Sequence, residues 1–104
     1  MQVAALLDAQ DVLHATLQTN GKGQRVTDDD IYYWQAQLIR QEGIYAEPAG
    51  ATSLAGLAKA IAERQVDSNC AIVCLITGSG FKDLKSIQKL TEGAESTLLN
   101  ISDL

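Results

Sequence analysis

Residues 70–76, CAIVCLI, form the longest uninterrupted apolar run in the chain. The run is apolar on both faces instead of alternating between polar and apolar residues. This pattern is typical of a parallel strand that is buried between two layers of helices. A turn signal, Thr77-Gly78-Ser79-Gly80, closes the run. The sequence therefore predicts its strongest strand over Cys70–Ile76.

Helices and two weaker strands are predicted on the N-terminal side of this run. Asp11 can cap a helix over Val12–Thr19, and a short strand over Gln24–Val26 follows. Thr27 caps a second helix that runs to about Gln41 and stops at Gly43. Its buried stripe is predicted as Ile31, Trp34, Leu38 and Ile39. If the buried face is rotated by one residue around the helix, Tyr32 and Gln35 are the alternative.

A third helix is predicted over Ala49–Arg64, after a short strand over Ile44–Ala46. Pro48 suits the start of a helix because the first amide has no helical partner. The many small residues of its first turns predict very close packing, and its buried positions are predicted as Leu54, Leu57, Ala58 and Ile61. A last turn or short helix follows over Leu84–Leu90.

The order of helix and strand predicts an α/β fold, with alternating helices and strands of a parallel three-layer sheet. In such sheets ligands bind beyond the carboxyl ends of strands, which here are Glu47 and Thr77. We expect an N-terminal helical segment and turn over 1–23, an α/β segment over 24–90 and a flexible tail over 91–104.

Composition restricts the possible functions. The 104 residues are 46% hydrophobic and 20% charged, as in one globular domain. The net charge of −5 disfavours nucleic acid as a partner, and no apolar run approaches the ~20 residues that a membrane span needs. No secretory signal is visible, so a cytoplasmic location is expected. Cys70 and Cys74 lie too far apart in one strand to pair, and with His14 they make no metal site.

Several motifs occur in a fixed order between Val26 and Lys85. They are VTDDDI at 26–31, EGI at 42–44, EPAGA at 47–51, SLAGL at 53–57 and VCLITGSGFKD at 73–83. Together they resemble the C-terminal part of threonine synthases and, more broadly, the fold-type II pyridoxal-phosphate enzymes, the tryptophan synthase β-like group. The resemblance implies that the sheet is incomplete relative to the full family fold.

The resemblance also implies a cofactor-binding set of Thr77, Gly78 and Glu47. In the family, a hydroxyl or thiol at the position of Thr77 bonds the pyridine nitrogen of the cofactor, and Gly78 turns the chain beside the ring. A hydroxyl cannot hold that nitrogen fully protonated, which favours elimination and replacement over transamination. Two alternatives stay open: Glu47 as a simple helix-start carboxylate, and Thr77-Gly78-Ser79-Gly80 as a simple strand-ending turn.

Two parts of the family pattern are missing. The lysine that holds the cofactor and the phosphate-binding loop both lie N-terminal to anything matched here. Lys82 matches the lysine of the family's GxxKD ending instead, and Ser79 stands where many threonine synthases have histidine. We therefore expect no catalytic residue in this chain and no pyridoxal phosphate on the chain alone.

Three functions are consistent with these residues. The first is a C-terminal part of a threonine synthase-like enzyme that forms one wall of the cofactor pocket. The resemblance implies that its full-length parent converts O-phosphohomoserine to threonine by β,γ-replacement, with a dehydratase or another β-replacement enzyme as the alternatives. Its partner would be the remainder of that parent, or a second copy of this chain. The alternatives are a stand-alone binding or regulatory α/β module, and a nucleotide-binding module using Gly78 and Gly80, whose spacing does not fit GxGxxG.

Overall fold

The computed structural model describes residues 7–94 of the chain. Within this range the regular elements are helices and one 3₁₀ turn. They are α1 (Ala9–Gln18), α2 (Asp28–Glu42), α3 (Pro48–Ala62), the 3₁₀ turn Gly80–Lys82 and α4 (Leu84–Thr91). No helix among these residues is long and apolar enough to cross a membrane.

Helix α2 begins and ends as the sequence predicts. The Thr27 side chain accepts a hydrogen bond from the Asp30 backbone N–H, and the Asp30 carboxylate accepts one from the Thr27 N–H. This reciprocal pair satisfies two of the amide groups that have no partner inside the helix. At the other end Gly43 takes a left-handed conformation with φ 68°, and its N–H bonds the Ile39 carbonyl.

Helix α3 begins at Pro48, whose missing N–H would have had no helical partner. It packs against α2, and the core between them consists of Ile31, Ala51 and Ala55 with Val26 and Trp34 alongside. Large α2 side chains therefore meet small α3 side chains. This arrangement lets the two backbones approach closely.

The predicted buried stripe of α3 is wrong. The buried residues of this helix are small: Gly50, Ala51, Ala55 and Ala60. The predicted positions Leu54, Leu57, Ala58 and Ile61 are only partly buried. The small-residue face lies against α2 and residues 77–78, so the tight packing that these residues predict has its neighbours within the chain.

The predicted parallel three-layer α/β fold is also wrong for the described residues. Their one β contact is an isolated antiparallel bridge between Ala46 and Ser79. A strand is stabilised by backbone hydrogen bonds to adjacent strands. Gln24–Val26 lies along α3 instead, where the Lys59 ammonium donates to the Arg25 carbonyl. Residues 70–76 run extended beside α3 with no strand partner, and Val73 is 86% exposed.

The two ends differ from the predictions in smaller ways. Helix α1 starts at Ala9, with Asp8 and not Asp11 at its N-cap, and none of its residues is buried. The predicted short helix over 84–90 is confirmed as α4. The proposed division at residues 23 and 90 stays a prediction. Most of the predicted flexible tail lies outside the described residues, which end at Ala94.

Candidate functional site

Two short segments meet where α3 begins. Residues 45–47 lead into this helix, and residues 78–80 follow the extended run. The Glu47 N–H donates to the Gly78 carbonyl at 3.2 Å, and the Gly80 N–H donates to the Tyr45 carbonyl at 2.9 Å. With the Ala46–Ser79 bridge between them, these bonds form what we call the strand-end pairing. It brings the EPAGA and TGSG motifs into contact.

Glu47 and Gly78 touch within the strand-end pairing. Gly78 has φ 80°, which L-residues with a side chain rarely adopt, and a Cβ placed on it would lie 2.0 Å from Oε1 of Glu47. The backbone conformation therefore favours glycine, and a side chain at this position would displace the Glu47 carboxylate. Glu47 is the N-cap residue of α3, but its side chain makes no capping hydrogen bond. Its carboxylate lies against residue 78 instead.

A second glycine fixes Thr77 against α3. A Cβ on Gly50 would lie 2.3 Å from the Thr77 carbonyl oxygen, so the backbone at Thr77 rests directly on the helix. One turn later the Ser53 hydroxyl donates to the Leu75 carbonyl at 3.0 Å. These two contacts hold the end of the extended run in register with the start of α3.

The three predicted cofactor residues therefore lie together. Thr77 is exposed, Gly78 is next to it, and half-buried Glu47 lies across from Gly78. Within residues 7–94 the Thr77 hydroxyl makes no hydrogen bond, so this donor is available to a ligand. Their cofactor role stays a prediction.

A cleft of about 310 Å³ opens beside Glu47, between the starts of α2 and α3. Asp28, Glu47 and Asp83 provide its carboxylates, and Lys82 provides its one ammonium group among the lining residues. Lys82 ends the 3₁₀ turn and is exposed. No group of metal-ligating side chains is assembled anywhere in the described part of the chain.

Asp83 orders the chain after the site. Its carboxylate accepts hydrogen bonds from the Ser86 hydroxyl at 2.6 Å and from the Lys85 N–H at 3.1 Å, which caps α4. The bond from Ser86 is the main reason why the pKa of Asp83 is lowered below its usual value of 3.8. Burial, together with the negative charge of Asp83, raises the pKa of Tyr45 above 10.0.

Gln35, which the sequence offered only as an alternative buried position of α2, contributes to this site in a way that the sequence did not predict. It lies on α2, is fully buried, and donates from Nε2 to the Ala46 carbonyl at 2.7 Å. Its Oε1 is buried without a hydrogen-bond partner among the described residues. The sequence signal was weak: one polar residue on the α2 face between Ile31 and Leu38. Gly50 and Ser53 were missed as contacts because their partners lie more than twenty positions away.

Comparison with known proteins places this site in a family. The family described as pyridoxal-phosphate dependent enzyme matches residues 3–78, which include most of the described chain and both Glu47 and Thr77-Gly78. The chain belongs to this family of pyridoxal-phosphate dependent enzymes.

Among curated proteins the chain is similar to threonine synthases. The enzyme of Halalkalibacterium halodurans is 41% identical over 71 residues, which are 68% of this chain and 20% of that protein. The enzyme of Methanocaldococcus jannaschii is 43% identical over 77 residues, 74% of this chain and 19% of that protein. The chain is thus threonine synthase-like and spans about a fifth of the length of these relatives.

Proposed function

We propose that this chain forms one wall of the cofactor pocket of a threonine synthase-like enzyme. The observation that carries the proposal is the contact between Glu47 and Gly78 beside the free hydroxyl of Thr77. This contact joins the two motifs that most resemble threonine synthases, and it lies in the segment that the family matches.

The residues of the site fit the group that they would hold. A threonine hydroxyl can donate a hydrogen bond to a pyridine nitrogen. Unlike an aspartate, it carries no negative charge that would keep this nitrogen protonated. The absence of a Cβ at Gly78 lets the Glu47 carboxylate lie against the backbone next to Thr77. Thr77 would hold the nitrogen side of the cofactor, and Glu47 would limit its lateral position. We propose that the covalent lysine and the phosphate-binding loop come from residues outside this chain.

When bound, pyridoxal phosphate supplies an electron sink for reactions at the carbons of an amino acid. The proposed reaction is the conversion of O-phosphohomoserine to threonine by replacement with water. The neutral hydroxyl of Thr77 favours this replacement chemistry because it leaves the ring a weaker sink than a carboxylate would. Positioning of the ring is thus the contribution of this chain, and the bond-making groups lie elsewhere.

A chimera tests this proposal directly. The threonine synthase of Halalkalibacterium halodurans would receive residues 7–94 of this chain in place of its own matching segment. We expect the chimera to bind pyridoxal phosphate and to form threonine from O-phosphohomoserine. Changing Thr77→Val removes the hydroxyl at nearly constant volume. It should alter the absorbance of the bound cofactor and reduce kcat by about 10-fold or more, the scale of one lost hydrogen bond to the cofactor.

Thr91→Val in the same chimera is the matched control. Thr91 is exposed at the end of α4 and bonds only carbonyls of its own helix. We expect its replacement to leave both the cofactor spectrum and threonine formation unchanged. Equal effects of Thr77→Val and Thr91→Val, or an unchanged spectrum in the Thr77 variant, would contradict the assignment of Thr77.

A further inference from the structure

The side chain of Gln35 is a buried polar group of the described chain whose hydrogen bonding is only half satisfied. Its relative exposure is 0%, it lies among the apolar residues of α2, and only one end of its amide has a partner. A buried polar atom without a hydrogen bond costs free energy. The hydrogen bond at the other end of the Gln35 amide must therefore offset the cost of burying its unpaired Oε1. Here that bond reaches the strand-end pairing.

The acceptor of Gln35 is the central carbonyl of the strand-end pairing. Ala46, which is 1% exposed, pairs with Ser79, and its two neighbours exchange backbone bonds with Gly78 and Gly80. The two backbone hydrogen bonds that make up this bridge are too few to hold two segments without support. Helix α2 is the rigid element beside them, and its 2.7 Å bond from Gln35 crosses to the middle of the pairing.

We infer that Gln35 is a positioning residue, which holds residues 45–47 so that Glu47 and Thr77-Gly78 face the same side of the site. The inference rests on the proposed function only in taking this side of the site as the one that faces the cofactor. The hydrogen bond from Gln35 to Ala46 does not depend on the proposed function. Gln35 touches no ligand. It acts on Glu47 through the Ala46 carbonyl and the strand-end pairing.

Amide hydrogen exchange of the whole chain, followed by NMR, tests the inference. The Glu47 and Gly80 amides report the strand-end pairing, and amides in the middle of α3 report the rest of the fold. In Gln35→Met, which keeps the side-chain size but not the donor, we expect protection at Glu47 and Gly80 to fall about tenfold more than protection in α3. Gln37→Met is the control, because Gln37 bonds only Gln41 of its own helix.

Gln35→Glu gives the test a second, reversible form. A carboxylate at neutral pH cannot donate to the Ala46 carbonyl, whereas a protonated carboxyl group can. Burial raises the pKa of a carboxyl group at this position. Protection at Glu47 and Gly80 should therefore be low above that raised pKa and recover as the pH falls through it, with the original protein measured at each pH as reference. A residue that merely fills space would show no such recovery, and this form remains decisive if Gln35→Met does not fold.

Two results would overturn the inference. One is uniform loss of protection in α3 and the strand-end pairing in both variants. The other is full protection at Glu47 and Gly80 in Gln35→Glu at every pH up to the highest at which the original protein stays folded. Neither result depends on pyridoxal phosphate. Failure of the proposed function would appear only in the chimera, and failure of the positioning role would appear only in this exchange pattern.

Discussion

At the scale of single residues, the site depends on positions where a side chain is missing. Gly50 lets the Thr77 carbonyl lie on α3, and Gly78 lets the Glu47 carboxylate lie against the backbone. A methyl group at either position would overlap existing atoms. At Gly50 the obstacle is backbone, which cannot rotate away. At Gly78 it is a carboxylate that can move, so substitution there should displace Glu47 without preventing folding.

We therefore expect Gly78→Ala to cost more stability than Gly43→Ala. Both residues have positive φ, 80° and 68°, and each substitution should cost about 1 kcal/mol for that reason. Nothing lies within 4 Å of a Cβ at Gly43, whereas one at Gly78 meets Glu47. Urea unfolding should show about 1 kcal/mol of additional loss for Gly78→Ala.

Glu47→Ala provides the test of cause. When the carboxylate is absent, Gly78→Ala should cost no more than Gly43→Ala, because only the φ penalty remains. If the additional loss persists in the Glu47→Ala background, the contact between Glu47 and Gly78 is not its source.

Lys82 is the described lysine that lies in the same cleft as Glu47, yet we predict that it does not capture the cofactor. A Schiff-base lysine is activated by burial or by a cationic neighbour. Lys82 is exposed, and the next residue is Asp83. After incubation with pyridoxal phosphate and borohydride reduction, mass spectrometry should find scattered substoichiometric adducts. The pattern should be unchanged in Lys82→Ala apart from the lost site. A single stoichiometric adduct on Lys82 would refute this prediction.

At the scale of elements, local sequence determined the helices well. Capping signals act between neighbours, so Thr27 with Asp30, Gly43 and Pro48 could all be read without knowing the fold. Long-range contacts could not be read this way. The buried face of α3 depended on what covers it, and the bond from Gln35 to Ala46 joins residues on different elements.

The capping box of α2 makes stability depend on acid. Hydrogen bonds from the Thr27 hydroxyl and backbone N–H lower the pKa of Asp30 below 3.8. A carboxylate whose pKa is lower in the folded protein than in the unfolded chain stabilises the folded protein at any pH above its pKa in the unfolded chain. That contribution is lost as the pH falls through the folded value. We expect the urea midpoint to drop as the pH falls from about 5 through 3.8 and on through the lower pKa of the folded protein, and to drop less in Asp30→Asn.

Asp29→Asn is the matched control for this experiment. Asp29 lies in the same helical turn but makes no side-chain hydrogen bond to Thr27. Its replacement should leave the acid-dependent drop close to that of the original protein. Equal effects of the two substitutions would indicate that general helix-start charge, and not the capping box, is responsible.

The failed prediction of a sheet has a physical reason that also lies at this scale. The uniformly apolar run 70–76 predicted a buried strand, but the segment forms no strand, and Val73 and Leu75 are exposed. Pairing, however, needs neighbouring strands, and the candidates at 24–26 and 44–46 have three residues each. Their backbone groups are used by Lys59 and by the strand-end pairing. The apolar composition of one segment therefore could not predict its hydrogen-bond partners or its burial.

At the scale of the whole molecule, the described chain has a small core and much exposed apolar surface. The core between α2 and α3 consists largely of alanines and one isoleucine. In contrast, Leu13 and Leu17 of α1 and Val73 and Leu75 of the extended run are mostly exposed. Exposed apolar area of this kind is typical of surfaces that meet another protein. The part of this chain that matches its relatives makes up only about a fifth of their length.

We therefore predict that the chain alone self-associates at micromolar concentration. Residues 70–76 offer the most suitable surface, because Val73 and Leu75 are 86% and 75% exposed while their backbone is held by Ser53. Val73→Lys with Leu75→Lys adds charge to this surface and should shift light scattering towards a monomer without lowering the unfolding midpoint. Leu84→Lys, at a position 73% exposed on α4, should leave the oligomeric state unchanged. A monomer that unfolds cooperatively in the original protein would contradict the prediction, since these residues would then need no cover.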